Sequence, residues 1–438
     1  MNIIKAGWLI QDCNTVHQNS GLVLENGLIL DILPNRALDE LAEHHAISIM
    51  DARDSVIAPG FVNTHMHQYG LLSHGMTPKR PIQDFKAFLE DYWWPNLENR
   101  INCQDVLLTT RLSAAELVQS GVTTLCDILE APFVERGALI EQGKALGALG
   151  MRGIVSLESS ERVDAKNGYQ CLEENVETVR YFNKNSTLVK GAICTHTTFT
   201  CSQSFIKSAA EMAKSENTLY HFHLSESSYE PQYTLAKFNK LPLEIYEAAN
   251  ALSSKTMATQ CVKMELREME ILNQYACKAS HMPLSNCEVG GGVAPVPEML
   301  SAGISLGLGS DGYINDFFEV MRAAFLIHKA DKQSPLVMPA SMVFKLATES
   351  GAECLGLTRT GKLQKGFTAD FMILENEFLT PLNESNIFDQ LIVFGKKEFV
   401  SQVFVNGKSI YQKGNDFYPQ IHADRDLLRQ RCNLIWNQ

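Results

Sequence analysis

Two histidines flank one methionine in "FVNTHMHQYG", residues 61–70, straight after an apolar run. Side chains two apart on an extended segment face the same way, so His65 and His67 share a direction. Such a pair either hydrogen-bonds to nearby backbone or holds a metal ion, and one His-x-His does not choose between the two. Similar residues stand at the ends of other apolar runs: His196 in "ICTH", His221, His223 and Glu226 in "HFHLSE", and Asp311 in "LGLGSDG". Imidazoles with one carboxylate are ordinary zinc ligands, and a catalytic zinc keeps one position open for water. The same donors suit iron or manganese.

Whether these groups meet depends on the elements that carry them. Eight β-rich apolar runs are present: "VIAPGFVNTH", "VTTLCDI", "RGIVSLES", "LVKGAICTH", "LYHFHLSE", "TMATQCV", "KASHMPL" and "ISLGLGSDG". Amphipathic stretches such as "CQDVLLTTRLSAAELVQSG" and "SFIKSAAEMAKSEN" separate them, the pattern of repeated βαβ units. Eight strands close a (β/α)8 barrel. An open doubly wound sheet would use the same local pattern, but no Gly-x-Gly-x-x-Gly or Walker loop follows the first strand, and "GGG" at 290–292 reads as a loop. In a barrel every strand C-terminus opens on one face, so the residues named above converge. Without a cation, Glu226 and Asp311 would then repel one another and several imidazoles would lack partners.

Residues 1–57 consist of short apolar runs broken by turns, with the hairpin signal "ENG". Strand-like material with an Asn-Gly turn returns in "KGFTADFMILE" and "VSQVFVNGKSIYQKG". The expected organisation is an α/β chain: a barrel over 58–366, and a small discontinuous β-sandwich from 1–57 and 367–438, the latter including a C-terminal tail.

The 438 residues carry a formal net charge of −12, and no Lys/Arg cluster marks a face. That argues against a nucleic-acid polymer as partner, since phosphate binding needs concentrated positive charge. No apolar stretch approaches the roughly 18 residues a membrane span needs. Eleven cysteines without a C-x-x-C pair fit reduced thiols and a cytoplasmic location.

The motifs "APGFVNTHMH", "ELVQSGVTTLCD", "HFHLSE", "PVPEMLSAGISLGLGSDG" and "ATESGAECLGLTRTGKLQKGFTADFMIL" together resemble the amidohydrolase superfamily. The similarity is to its branch of cytosine-deaminase-like, chlorohydrolase-like and guanine-deaminase-like aminohydrolases. The resemblance implies a distorted TIM barrel with one divalent metal ion, most often zinc, acting on a small heterocyclic substrate, and it implies a homodimer. It assigns His65, His67, His223 and Asp311 as metal ligands, Glu226 as proton shuttle and His196 as a substrate contact. A cation acidifies a bound water towards pH ~7. Asp311 can take that proton, and Glu226 can protonate a ring nitrogen and then the departing ammonia.

At the sixth strand end the chain departs from the family. Relatives commonly read "HCVH"; here "ATQCVKM" places Gln260 and Lys263 at the histidine positions. An amide still donates a hydrogen bond but cannot titrate near neutral pH. Gln260 is therefore a candidate catalytic residue whose chemistry differs from the family's. It leaves room for another C–N or C–Cl bond as the target, or for a barrel that binds without turnover. His281 reads as structural or supporting. In the insertion "HGMTPKRPIQDFKAFLEDYWWPNLENR", Trp94 is the expected pocket wall, with Phe85, Phe88, Leu89 and Tyr92 docking a helix on the barrel.

Overall fold

Continuous burial, rather than alternation, marks the central strands. Phe61–Met66, Val122–Leu129 and Arg152–Ser159 are buried at every residue, as parallel strands covered on both faces must be. A computed structural model describes residues 1–437. In it the fourth strand is split into Val189–Gly191 and Ile193–Thr195, and Tyr220–Leu224, Thr256–Gln260, Lys278–His281 and Ser305–Leu308 follow. All neighbours pair in parallel, and Leu308 pairs with Asn63, so the sheet closes as the expected eight-stranded barrel. The helix expected after the first strand spans Cys103–Gln119 and starts on a reciprocal cap between Asn102 and Asp105.

The strand expected over 56–65 is divided at Gly60. Ile49–Pro59 belongs to the terminal sheet, and only Phe61–Met66 enters the barrel. A Cβ on Gly60 would stand 2.1 Å from the Thr123 side chain, so the crossing needs glycine.

The chain ends form one mixed sheet, in which Ile49–Pro59 joins strand Asn2–Asp12 to strand Phe371–Glu375. Ile4, Leu22 and Ile29 from one arm share an apolar cluster with Phe371 and Phe404 from the other, so both chain ends build one sheet unit rather than two separate ones. The "ENG" hairpin is present, with Asn26 and Gly27 both at positive φ, as a type I′ turn requires.

Asp370 joins the two units. Its carboxylate accepts from Arg152 Nε at 2.9 Å, on the third barrel strand, and from Asn406 N at 2.7 Å. The Arg152 and Asp370 side chains are only 10% and 1% exposed. Arg152→Met is expected to cost about 3–5 kcal/mol, because it strands a buried carboxylate; urea unfolding measures it.

A helix at Ile421–Trp436, not anticipated from sequence, lies against Cys103–Gln119. Arg431 grips Asp105 there at 2.6 and 2.8 Å, and Trp436 Nε1 donates to Leu72 O at 2.8 Å. Among the described residues no helix is long and apolar enough to cross a membrane.

Candidate active site

The first and eighth strands are drawn together at their C-terminal ends by backbone. Asp311 N donates to His65 O at 3.1 Å, and His67 N donates to Asp311 O at 3.3 Å. This closeness requires Gly309, where a Cβ would stand 2.6 Å from His65 O. Asp311 (φ 58°) and Gln260 (φ 73°) both occupy the left-handed region. For non-glycine residues that is unfavourable backbone, held here by the surrounding strand ends.

His67 Nδ1 meets the Ile128 carbonyl at 2.8 Å. A carbonyl only accepts, so Nδ1 carries a proton, and Nε2 stands 3.1 Å from Asp311 Oδ1. Such a contact holds either a proton on Nε2 or a cation bridging the two groups. His65, fully buried, has no partner on either ring nitrogen, and His223 Nδ1 has none either. One nitrogen from each of His65, His67 and His223 lies within 4.8 Å of the others, and Asp311 Oδ1 is 3.9 Å from His65 Nε2. Three buried imidazoles, of which His65 and His223 keep unpartnered nitrogens, with the Asp311 carboxylate beside them are donors that suit a divalent ion.

The electrostatics agree. Burial and the charge of His67 hold His223 down to about 3 and push His65 well below the usual histidine range. Burial opposes a proton on His67 too, but Glu130 and Asp311 together raise it well above that range. Burial also works against the charge of Asp311, yet His67 holds that carboxyl well below its ordinary value. One proton shared between His67 and Asp311 is what the cluster retains when no cation replaces it.

Gln260 is fixed from both sides. Its Nε2 donates to Asp311 Oδ2 at 2.7 Å, and its Oε1 accepts from Asn286 Nδ2. Asn286 thereby sets the direction of the amide, which leaves one Gln260 N–H for the cavity it lines. Gln260→Leu removes a hydrogen bond to a charged group, worth ~1.5–3 kcal/mol. It is expected to lower kcat about 10- to 100-fold at unchanged metal content, read by steady-state kinetics with metal analysis.

His67, His223 and Asp311 line a cavity of about 1150 Å³. Glu226 lines it without a hydrogen bond of its own, and burial with the charges of Asp311 and Glu130 raises its carboxyl well above the usual range. The "GGG" loop backs this residue: a Cβ on Gly291 would stand 2.4 Å from Glu226 O. Phe85, Phe88, Leu89, Tyr92 and Trp93 of the insertion face the cavity, with Phe88 stacked on Trp93 at 5.3 Å. Trp94, the expected pocket wall, is not among the lining residues; its ring packs on the Arg162 guanidinium at 4.8 Å, 6.1 Å from the His196 ring.

His196 lines the cavity with Nδ1 on Thr200 Oγ1 at 2.9 Å. His221 is fully buried and turned to Ser156 Oγ at 2.8 Å, away from the ligand cluster. His281 pairs with His328, Nε2 to Nε2 at 3.1 Å, and stands apart from the ligands.

Sequence reasoning missed Glu98, Glu130, Glu158 and Arg162. The last two carboxylates sit at the ends of the second and third strands, where the strand-end criterion that picked out His65 and Asp311 would have found them. Glu98 is pushed up to about 8 and Glu130 to about 7, chiefly by burial.

A closed barrel carries this histidine–aspartate cluster at its C-terminal mouth. The family model for the amidohydrolase family matches residues 56–410, and the chain belongs to that family. A 5-methylthioadenosine/S-adenosylhomocysteine deaminase from Carboxydothermus hydrogenoformans is 29% identical over 413 residues, 92% of this chain and 93% of that protein. A zinc-bound adenosine deaminase from Xanthomonas campestris superposes with TM-score 0.88 at 20% identity, over 100% of this chain and 98% of that one. Zinc-complexed atrazine chlorohydrolase from Arthrobacter aurescens TC1 gives 0.85 at 17% identity, over 99% and 100%.

Proposed function

We propose that this protein is a zinc-dependent aminohydrolase that removes an exocyclic amino group, as ammonia, from a small planar nitrogen heterocycle of purine, pterin, pyrimidine or triazine type. The observation that carries this reading is the buried group of His65, His67 and His223 with Asp311 Oδ1 3.1 Å from His67 Nε2, and Glu226 lining the same cavity. The deaminase relative of similar length supports it.

His65, His67, His223 and Asp311 would hold the ion, which would supply Lewis acidity and acidify a water towards pH ~7. Asp311 Oδ1 takes the proton of the attacking water, while the Gln260 amide keeps Oδ2 engaged. Glu226 retains its proton because its pocket resists a further negative charge. It delivers that proton to the ring nitrogen beside the attacked carbon, then assists departure of ammonia. His196 and the aromatic wall of the insertion confine the ring. Gln260, unable to take a proton, serves as donor and orienter.

Gln260 also supports a second reading, hydrolysis of a C–Cl or alkylamine C–N bond at the same centre. Chloride leaves as an anion and needs no protonation, so a site without a titratable group at 260 handles it equally well. An ammonia- and chloride-release screen over purines, pterins, pyrimidines and triazines, with metal analysis of the same sample, decides between them. Ammonia from an aminated ring supports the first reading. Bound metal with no turnover, unchanged in Gln260→His, makes the barrel a binding module. A cytoplasmic homodimer completes the proposal; the eleven free thiols fit the compartment, and sedimentation equilibrium tests the dimer.

A further inference from the structure

The insertion that carries the aromatic wall, residues 74–100, is fastened at both of its stems to the end of helix Ile421–Trp436. Its entry stem is the 3-10 helix Gln68–Ser73, which starts directly after His67. There the Leu72 carbonyl accepts from Trp436 Nε1 at 2.8 Å and from Cys432 Sγ at 3.6 Å. The chain then turns at Gly75 (φ 93°), where an added Cβ would rest 3.6 Å from the Trp436 ring. The exit stem ends at Arg100. Its Nη1 donates to Ile435 O at 3.2 Å, and its own carbonyl accepts from Arg431 Nη2 at 3.0 Å.

The wall is strung between these stems. Arg100 Nε donates to Pro95 O at 2.8 Å, Leu97 N to Trp93 O at 2.9 Å and Asn96 Nδ2 to Tyr92 O at 2.6 Å. The Tyr92 hydroxyl donates to Met76 O at 2.9 Å, tying the far end of the insertion back to its beginning. Met76, Pro78, Ile82 and Tyr92 line the active-site cavity and also a second hollow of about 800 Å³, which extends to Ile435 and Trp436. Open space on both sides leaves such a layer few packing contacts, the condition for low local stability. Its position is then set by its stems.

We propose that the last turn of helix Ile421–Trp436 fixes the spacing of the two stems, and with it where Tyr92 and Trp93 stand against the substrate. Trp436 and Arg100 are positioning residues, since neither lines the active-site cavity. The inference rests on reading that cavity as the substrate site. His67, next to the entry stem, is pinned separately by Asp311 O and Ile128 O. Loosening the stems therefore moves the wall and leaves the reacting end in place. Binding that is the same in ground and transition states is lost, which raises KM at constant kcat.

The test is hydrogen exchange over residues 76–100 in the wild type, Trp436→Ala and Trp436→Phe, the last keeping a ring beside Gly75 but losing the Nε1 donor. Exchange there should quicken about 10-fold or more in Trp436→Ala and by less in Trp436→Phe, with the barrel strands unchanged. For a ring that is turned over, KM should rise about 10-fold in Trp436→Ala with kcat within about twofold and metal content unchanged. In a Trp93→Ala background the same substitution should add nothing further, because both act on one wall. Unchanged exchange over 76–100 overturns the proposal, and so does a fall in kcat at constant KM or a fully additive effect with Trp93→Ala. Trp436→Phe carries the same tests should Trp436→Ala fail to fold. Exchange is read without turnover: faster exchange with no ammonia release would defeat the proposed function and leave this positioning role standing.

Discussion

His223→Ala is expected to leave the purified protein without its catalytic metal and without turnover. The ring is buried at the end of the fifth strand, with Nδ1 unsatisfied and the His65 ring 5.1 Å away centre to centre. Losing a residue that merely supports a ligand costs roughly 10–100-fold in metal affinity, and losing the ligand itself exceeds that. Emission analysis after dialysis and an ammonia assay read the two effects together. The variant folds without needing to bury an unpaired charge, because His223 is neutral at working pH. A metal content equal to wild type would remove His223 from the ligand set.

Glu226→Gln separates chemistry from metal binding. The substituted amide keeps the shape but has no acidic proton, and general acid–base help of this kind is worth ~10²- to 10⁴-fold. The expected result is a fall in kcat of that size at full metal content. The pH dependence follows from the raised carboxyl. The useful form is protonated, so it dominates below the raised pKa and is lost as pH climbs through it. In the wild type kcat/KM should decline on that alkaline side, well above where an ordinary carboxyl ionises. In Glu226→Gln that limb should disappear. A full-rate variant would place the proton donor elsewhere.

The barrel was legible because parallel strands must be apolar on both faces, and runs such as "RGIVSLES" show it without ambiguity; the strand covers those residues, Arg152–Ser159. The division at Gly60 was not, since Ile57 and Val62 look alike in sequence while a close approach to Thr123 decides where the chain changes sheets. His65, His67, His223 and Asp311 were visible by strand position and motif; the three imidazoles form one buried group, with Asp311 Oδ1 3.1 Å from His67 Nε2. Gln260 was visible as a departure, but its direction was not, because Asn286 arrives from the segment after the seventh strand. Trp94, the expected pocket wall, does not line the cavity, whereas Trp93, which ends the π-helical segment Phe88–Trp93, does. Glu130 and Glu158 went unseen because they belong to no motif and gain meaning only when strands two and three close beside strand five.

The whole account depends on positive charge seated among groups from strands one, five and eight. An anomalous difference map from crystals of the purified wild-type protein tests this directly. It should show a strong peak with His65, His67, His223 and Asp311 each ~2.0–2.2 Å away. A map without a peak at that point, or with an ion bound by other residues, would contradict it.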